Sequence, residues 1–193
     1  MLTPCCWYAA ATLRKGGEMG DPWTSGYLFA IAFVLALLEV QIEGPDGWAV
    51  RLPTWRFAHP RLLALTNGKP ITGYHLCMNA LLLLLVHMQA VRTPWSWKAE
   101  GELLSLYLLL AVFWDFLWFV INPHYGLARF RPGQVWWCRR WLLGLPVDYW
   151  TGLVVSLGLG LACDRVLGLG RWSLTLGVLS GLTLVTAAAI RRK

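Results

Sequence analysis

The chain has 193 residues, of which 57% are hydrophobic and only 14% charged, with 13 Trp and a mean hydropathy of +0.51. That apolar share exceeds the roughly 45–50% of soluble domains, and so little charge excludes a disordered chain. Seventeen Lys and Arg against ten Asp and Glu give a formal +7, but the bases come in small groups between apolar runs, which argues against a nucleic-acid binder.

In chain order, the N-terminal segment Met1–Pro22 carries Arg14 and Lys15 after its short apolar stretch, unlike a cleaved signal peptide. Met19, just ahead of the first long apolar run, is an alternative start that would leave the residues before it without a structural role. Five runs then approach the ~20 residues a helix needs to cross about 30 Å of hydrocarbon. They are Gly26–Ile42, Gly73–Val91, Leu103–Ile121, Pro146–Cys163 and Trp172–Ile190. Their continuous Leu, Ala and Gly content predicts helices, because barrel strands would alternate every second residue. The expected fold is an all-α integral membrane protein, one domain over 1–193 with about five transmembrane helices. The last two runs would also suit a re-entrant hairpin.

Short basic loops stay on the cytoplasmic side. The loops after the first and third runs, with the C-terminal tail, hold eleven Lys and Arg against six on the other side, which predicts N-out and C-in. Trp23, Trp95, Trp97 and Trp172 would then mark the outer interface, and Trp136, Trp137, Trp141 and Trp150 the inner one. The localisation that follows is a multi-pass membrane protein, in the plasma membrane if the source is prokaryotic, with membrane lipids as its neighbours. Cys5, Cys6, Cys77, Cys138 and Cys163 form no C-x-x-C pair and read as reduced packing residues.

The ionisable residues inside these runs are expected at one depth near the inner face. Glu39 and Glu43 are four residues apart on the first helix and share a face. His75 opens the second helix with Asn79 one turn on. Asp115 sits among aromatic residues of the third, followed by Asn122 and His124, and Asp148 opens the fourth. Ionisable groups inside a membrane are costly and are functional candidates by default. Each also has a plain structural role open to it: Glu43 solvated at the interface, Glu39 reaching toward headgroups, His75 and Asp148 favouring helix starts. Asp115 would pair with an indole N–H or an Arg. His87, twelve residues from His75, points elsewhere and reads as a buried, hydrogen-bonded His.

Glu39, Glu43, His75, Asp115, Asp148 and His124 make a hard-ligand set with imidazole nitrogen, suited to Fe, Mn, Zn or Mg. Such a site would activate water or oxygen against a lipid-soluble small molecule. Without metal, Asp115 and Glu39 would serve as catalytic acid and base. Trp114, Trp118, Asn79 and Asn122 would bind substrate. The loops Glu43–Pro53 and Asn122–Trp141 would close over the cluster and offer Arg51, Arg56, Arg129 or Arg131 to a phosphate or carboxylate. No Glu-x-x-His pair, histidine-box set or Asp-x-x-x-Asp pair is present. A non-catalytic binder or transporter, or a structural membrane subunit, is the alternative. Gly152, Ser156, Gly160 and Ser173, Gly177, Gly181 recur every four residues, which predicts that the last two helices pack on each other.

Overall fold

The computed structural model describes residues 21–91 and 94–192. Met1–Gly20, with Cys5, Cys6, Arg14, Lys15 and Met19, lies outside the described residues, as do Arg92 and Lys193. The chain is mostly helical, with two short strand pairs rather than none. Its helices are α1 (Pro22–Glu43), α2 (Pro60–Leu65), α3 (Gly73–His87), α4 (Trp97–Ile121), α5 (Val147–Cys163) and α6 (Leu167–Arg191). Strand β1 (Arg56–Phe57) pairs antiparallel with β2 (Ile71–Thr72), and β3 (Trp141–Leu142) with β4 (Leu145–Pro146).

Local chemistry sets the helix starts. Asp21 caps α1 by accepting from the Thr24 N–H at 2.8 Å, with Pro22 in the first turn. Thr72 caps α3 through the His75 N–H at 3.1 Å, and Ser96 caps α4 through the Ala99 N–H at 3.1 Å. Helix α4 therefore begins six residues before its apolar run, and α6 begins five residues before its own. The runs mark where charge stops, whereas caps mark where helix begins. Helix α3 ends at His87 and a 3-10 turn, Met88–Ala90, follows.

Among the described residues three helices, α1, α4 and α6, are long and apolar enough to cross a membrane. Helix α4 is the centre and packs against all four other long helices. Outward-facing Leu84, Val154, Leu184 and Val185 are about two-thirds exposed. On α1 the inward stripe runs Leu28, Ala32, Leu35, Ala36, Glu39, Val40, Glu43 at helical spacing. The carboxylates therefore continue the core face. On α3 the stripe His75, Met78, Leu82, Val86 does the same for the imidazole.

The small-residue stripes meet expectation in part: Gly160 lies against Gly168, where the last two helices touch, but the rest of the stripes pack otherwise. On α5, Gly152 lies against Val112 and Ser156 Oγ donates to Ser105 O at 2.7 Å, so this stripe seats α5 chiefly on α4. Gly177 and Gly181 on α6 have open space where a side chain would stand, and α6 instead buries Thr175, Leu179 and Thr183. Spacing reports that some helix can come close but does not name it. Trp172 is half-buried and donates to Ser156 Oγ at 2.9 Å, and Trp137 is buried among aromatic rings, so neither is an interface marker. Trp23, Trp95 and Trp97 are exposed near one end, and Trp136 is exposed near the other.

Candidate metal centre

Glu39 and Glu43 reach the C-terminal end of α1 on its buried stripe, where His75 meets them from the first turn of α3. His75 Nε2 is 3.3 Å from Glu43 Oε1 and 3.8 Å from Glu39 Oε1. One ligand atom from each of the three residues falls within 4.8 Å of the others, so the group could hold a metal ion. Metal–ligand distances near 2.0–2.2 Å give neighbouring ligand atoms a separation of about 3–3.5 Å, close to the two observed. Glu43 is buried, not solvated.

Two loop residues complete the trio. Trp48 and Ala49 adopt φ of 48° and 52°, in the left-handed region that non-glycine residues seldom occupy. That bend delivers the Ala49 N–H to Glu43 Oε1 at 2.5 Å and stacks the Trp48 ring on His75, centroids 4.0 Å apart. Trp48 is held by its own N–H, which donates to Pro70 O at 2.9 Å. His75 Nδ1 lies 2.7 Å from Thr72 Oγ1. Two proton placements satisfy this ring. If Nδ1–H donates to Thr72, Nε2 presents a lone pair to two carboxylates and needs a cation between them. If Thr72 donates to Nδ1, Nε2–H donates toward Glu43.

Beside the trio is a cavity of about 260 Å³ between α3 and α5, floored by α4. Glu39, His75, Asn79, Trp114, Asp115 and Asp148 all line it. Asp115 accepts a hydrogen bond from the buried Tyr149 hydroxyl, not from an Arg. Asn79 accepts from Tyr107 O–H at 2.9 Å and donates to His75 O at 2.8 Å. The Trp114 indole nitrogen interacts with Glu39 from outside good hydrogen-bond geometry.

The remaining candidates fall elsewhere. Trp118 joins Phe119, Tyr125 and Trp137 in an aromatic cluster under the loops and does not line the cavity. Asn122 caps the end of α4, accepting from the His124 and Tyr125 N–H groups at 2.9 and 3.2 Å and donating to Gly44 O at 2.9 Å. It ties the loop after α1 to the loop after α4. His124 is exposed and outside the metal group. Arg51 pairs with Asp46 at 2.7 Å, Arg56 donates to Ala49 O, and Arg129 lies over the Tyr125 ring. Arg131 is exposed, and none of these four lines the cavity. His87 is half-buried, with Nδ1 2.8 Å from Leu83 O and Nε2 3.0 Å from Glu100, at the far end of α3.

The cation in the cavity is Lys69, which entered the sequence reading only as an orientation charge. It is buried, pairs with Asp148, and sits 5.0 Å above the Trp48 ring. Burial disfavours its charge, but Asp115 and Asp148 outweigh that and hold its pKa above the ordinary lysine range. Asn67 brings it there: its side chain donates to Arg140 O and Asp148 Oδ1, each at 3.0 Å, and accepts from the Arg140 N–H at 2.6 Å. The neighbouring Cys138 is free and buried, and burial pushes its thiol up to about 12. Cys77 and Cys163 are also free thiols.

No family model matches this chain, and no curated protein or solved structure is significantly similar to it, so its functional reading rests on this geometry.

Proposed function

We propose that this is a multi-pass membrane enzyme whose five long helices all cross the bilayer, N-out and C-in, and whose metal centre acts on a lipid-soluble substrate. In a prokaryote it would reside in the plasma membrane. The observation that carries the reading is the trio Glu39, Glu43 and His75. Its two carboxylates are at most 9% exposed, and among the described residues no Lys or Arg pairs with either. Two buried negative charges facing one imidazole are unfavourable until a cation or protons join them.

A divalent ion supplies the missing charge, and the mixed oxygen and nitrogen donors suit Fe, Mn, Zn or Mg. Bound there, it would polarise an oxygen atom or activate water. Thr72 would fix the His75 ring so that Nε2 points at the ion, and Ala49 N–H would orient Glu43. Asp115, held by Tyr149 on the same cavity, is the group placed to accept or return a proton. Trp114 and Asn79 line the space where substrate would lie.

A metal-free acid–base enzyme is the second reading, favoured by the 3.3 Å approach of His75 Nε2 to Glu43. A binder or transporter would use the same cavity without reaction. Elemental analysis of detergent-purified protein separates these readings. Stoichiometric Fe, Mn or Zn is expected in the wild type and in Lys98→Met, and its loss in folded Glu39→Ala and His75→Ala. A Mg-specific site would appear instead as saturable Mn²⁺ binding by electron paramagnetic resonance. Folded wild type that takes up none of these ions would overturn the metal reading.

A further inference from the structure

We infer that the cavity receives the head of a lipid whose head donates hydrogen bonds and carries no negative charge, an alcohol or an amine, with its chain leaving sideways between α3 and α5. The inference deepens the proposed function and rests on its membrane setting.

Helix α4 carries two kinds of face. Leu106, Leu109, Leu110, Phe113, Trp114 and Leu117 are buried. Tyr107, Leu108, Ala111, Val112 and Asp115, also at helical spacing, are only half-buried and form the floor of the cavity. Asn79 walls this strip from α3, and Tyr149 and Gly152 wall it from α5. The strip runs eight residues from Asp115 to Tyr107, about 12 Å along the helix. Its middle, Leu108, Ala111 and Val112, is apolar. At about 260 Å³ the cavity is smaller than the roughly 300–1,000 Å³ of sites that enclose a whole ligand. It suits a head and the first carbons, with the remaining chain outside the helices.

The polar end sets the head chemistry. Glu39, Asp115 and Asp148 face it, and the one Lys there is committed to Asp148. A divalent ion would neutralise Glu39 and Glu43, and Lys69, which faces both Asp148 and Asp115, would leave the pair of Asp one negative charge in excess. Asp115 accepts from Tyr149 through Oδ2, and among the described residues Oδ1 accepts no hydrogen bond. A donor head satisfies that oxygen, whereas a phosphate or carboxylate would meet a like charge with no unpaired Lys or Arg among the described cavity residues. Arg51 and Arg131 stand outside the cavity and cannot supply one.

The test uses the full chain in lipid nanodiscs with three probes bearing a diazirine near the head: hexadecanol, hexadecylamine and hexadecyl phosphate. The alcohol and amine are expected to cross-link at Leu108, Ala111 or Val112, and the phosphate at least about tenfold less. Ala111→Trp should abolish this labelling, and the milder Ala111→Leu should reduce it, in samples that remain monodisperse. Equal labelling by the phosphate, or labelling unchanged in both variants, overturns the inference. Metal content is read on the same samples. Metal without selective labelling rejects this inference alone, whereas selective labelling without metal rejects the metal centre and keeps the lipid site.

Discussion

At the end of the bundle where α3 stops and α4 starts, three acids each have a base. His87 is 3.0 Å from Glu100, Lys98 is 3.2 Å from Asp164, and Arg171 is 3.2 Å from Glu102. Both nitrogens of His87 face acceptors, an arrangement that favours the protonated ring. These groups clamp neighbouring helices and leave little charge over. At the opposite end Lys69 pairs with Asp148 and also faces Asp115, while neither Glu39 nor Glu43 pairs with a Lys or Arg among the described residues. Matched and partly solvated pairs cost little to keep. Unmatched buried carboxylates destabilise a fold unless something else occupies the space between them. The contrast is the reason for proposing a structural role at one end and chemistry at the other.

The same substitution at both ends would sharpen that contrast most. Lys69→Met leaves Asp148 with Asn67 as its remaining partner in a mostly buried site, and should cost about 2–3 kcal/mol. Lys98→Met removes a half-exposed lysine and should cost no more than about 0.5 kcal/mol. Denaturant unfolding in mild detergent, followed by Trp fluorescence, measures both. Equal losses would break the distinction between the two ends.

Helix seating gives a smaller effect. A methyl added at Gly152 meets Val112, so Gly152→Ala should cost about 1–2 kcal/mol. Gly177→Ala enters open space and should stabilise by up to about 1 kcal/mol, through better helix propensity. Thermal unfolding of the two variants should therefore shift in opposite directions. A loss at Gly177 would restore the packing partner that spacing had suggested.

The smallest effect is a pH dependence at the clamped end. Asp164 accepts from the Leu167 N–H at 2.9 Å, the Val166 N–H at 3.2 Å and Lys98. The backbone bond to Leu167, then Lys98, lowers its pKa. A depressed carboxylate contributes stability that is complete above its unfolded value, near 3.9, and is lost as pH falls through the folded one. The stability difference between wild type and Asp164→Asn should be constant from pH 7 to about 5 and shrink toward pH 3. A difference that grows with acid would show that Asp164 stabilises nothing there.

How far these features were legible follows from where each residue sits. Glu39, Glu43 and His75 lie on helices, where period alone puts them on the face that carries Leu35, Met78 and Leu82. Lys69 was missed because it lies in a loop, 79 residues from Asp148 in sequence, and becomes buried only when Asn67 joins that loop to the Arg140 backbone. Trp48 was missed because its stacking on His75 depends on a backbone bend that no motif announces. Arg51 and Arg131 were placed in the site by loop composition, which carries no direction, and they point away from it.

Sequence alone determined the apolar character of the chain, the number of long helices and the level at which five ionisable positions gather. Helical period and chain length suffice for these, since both act within one element. Tertiary structure decided which residues meet at that level. It selected Glu39, Glu43 and His75 as one group, assigned Asp115 to Tyr149 and Asp148 to Lys69, and left Asn122 and His124 to the loops. Pairing of buried charges depends on distances between elements, and those are set by how the loops fold across the end of the bundle.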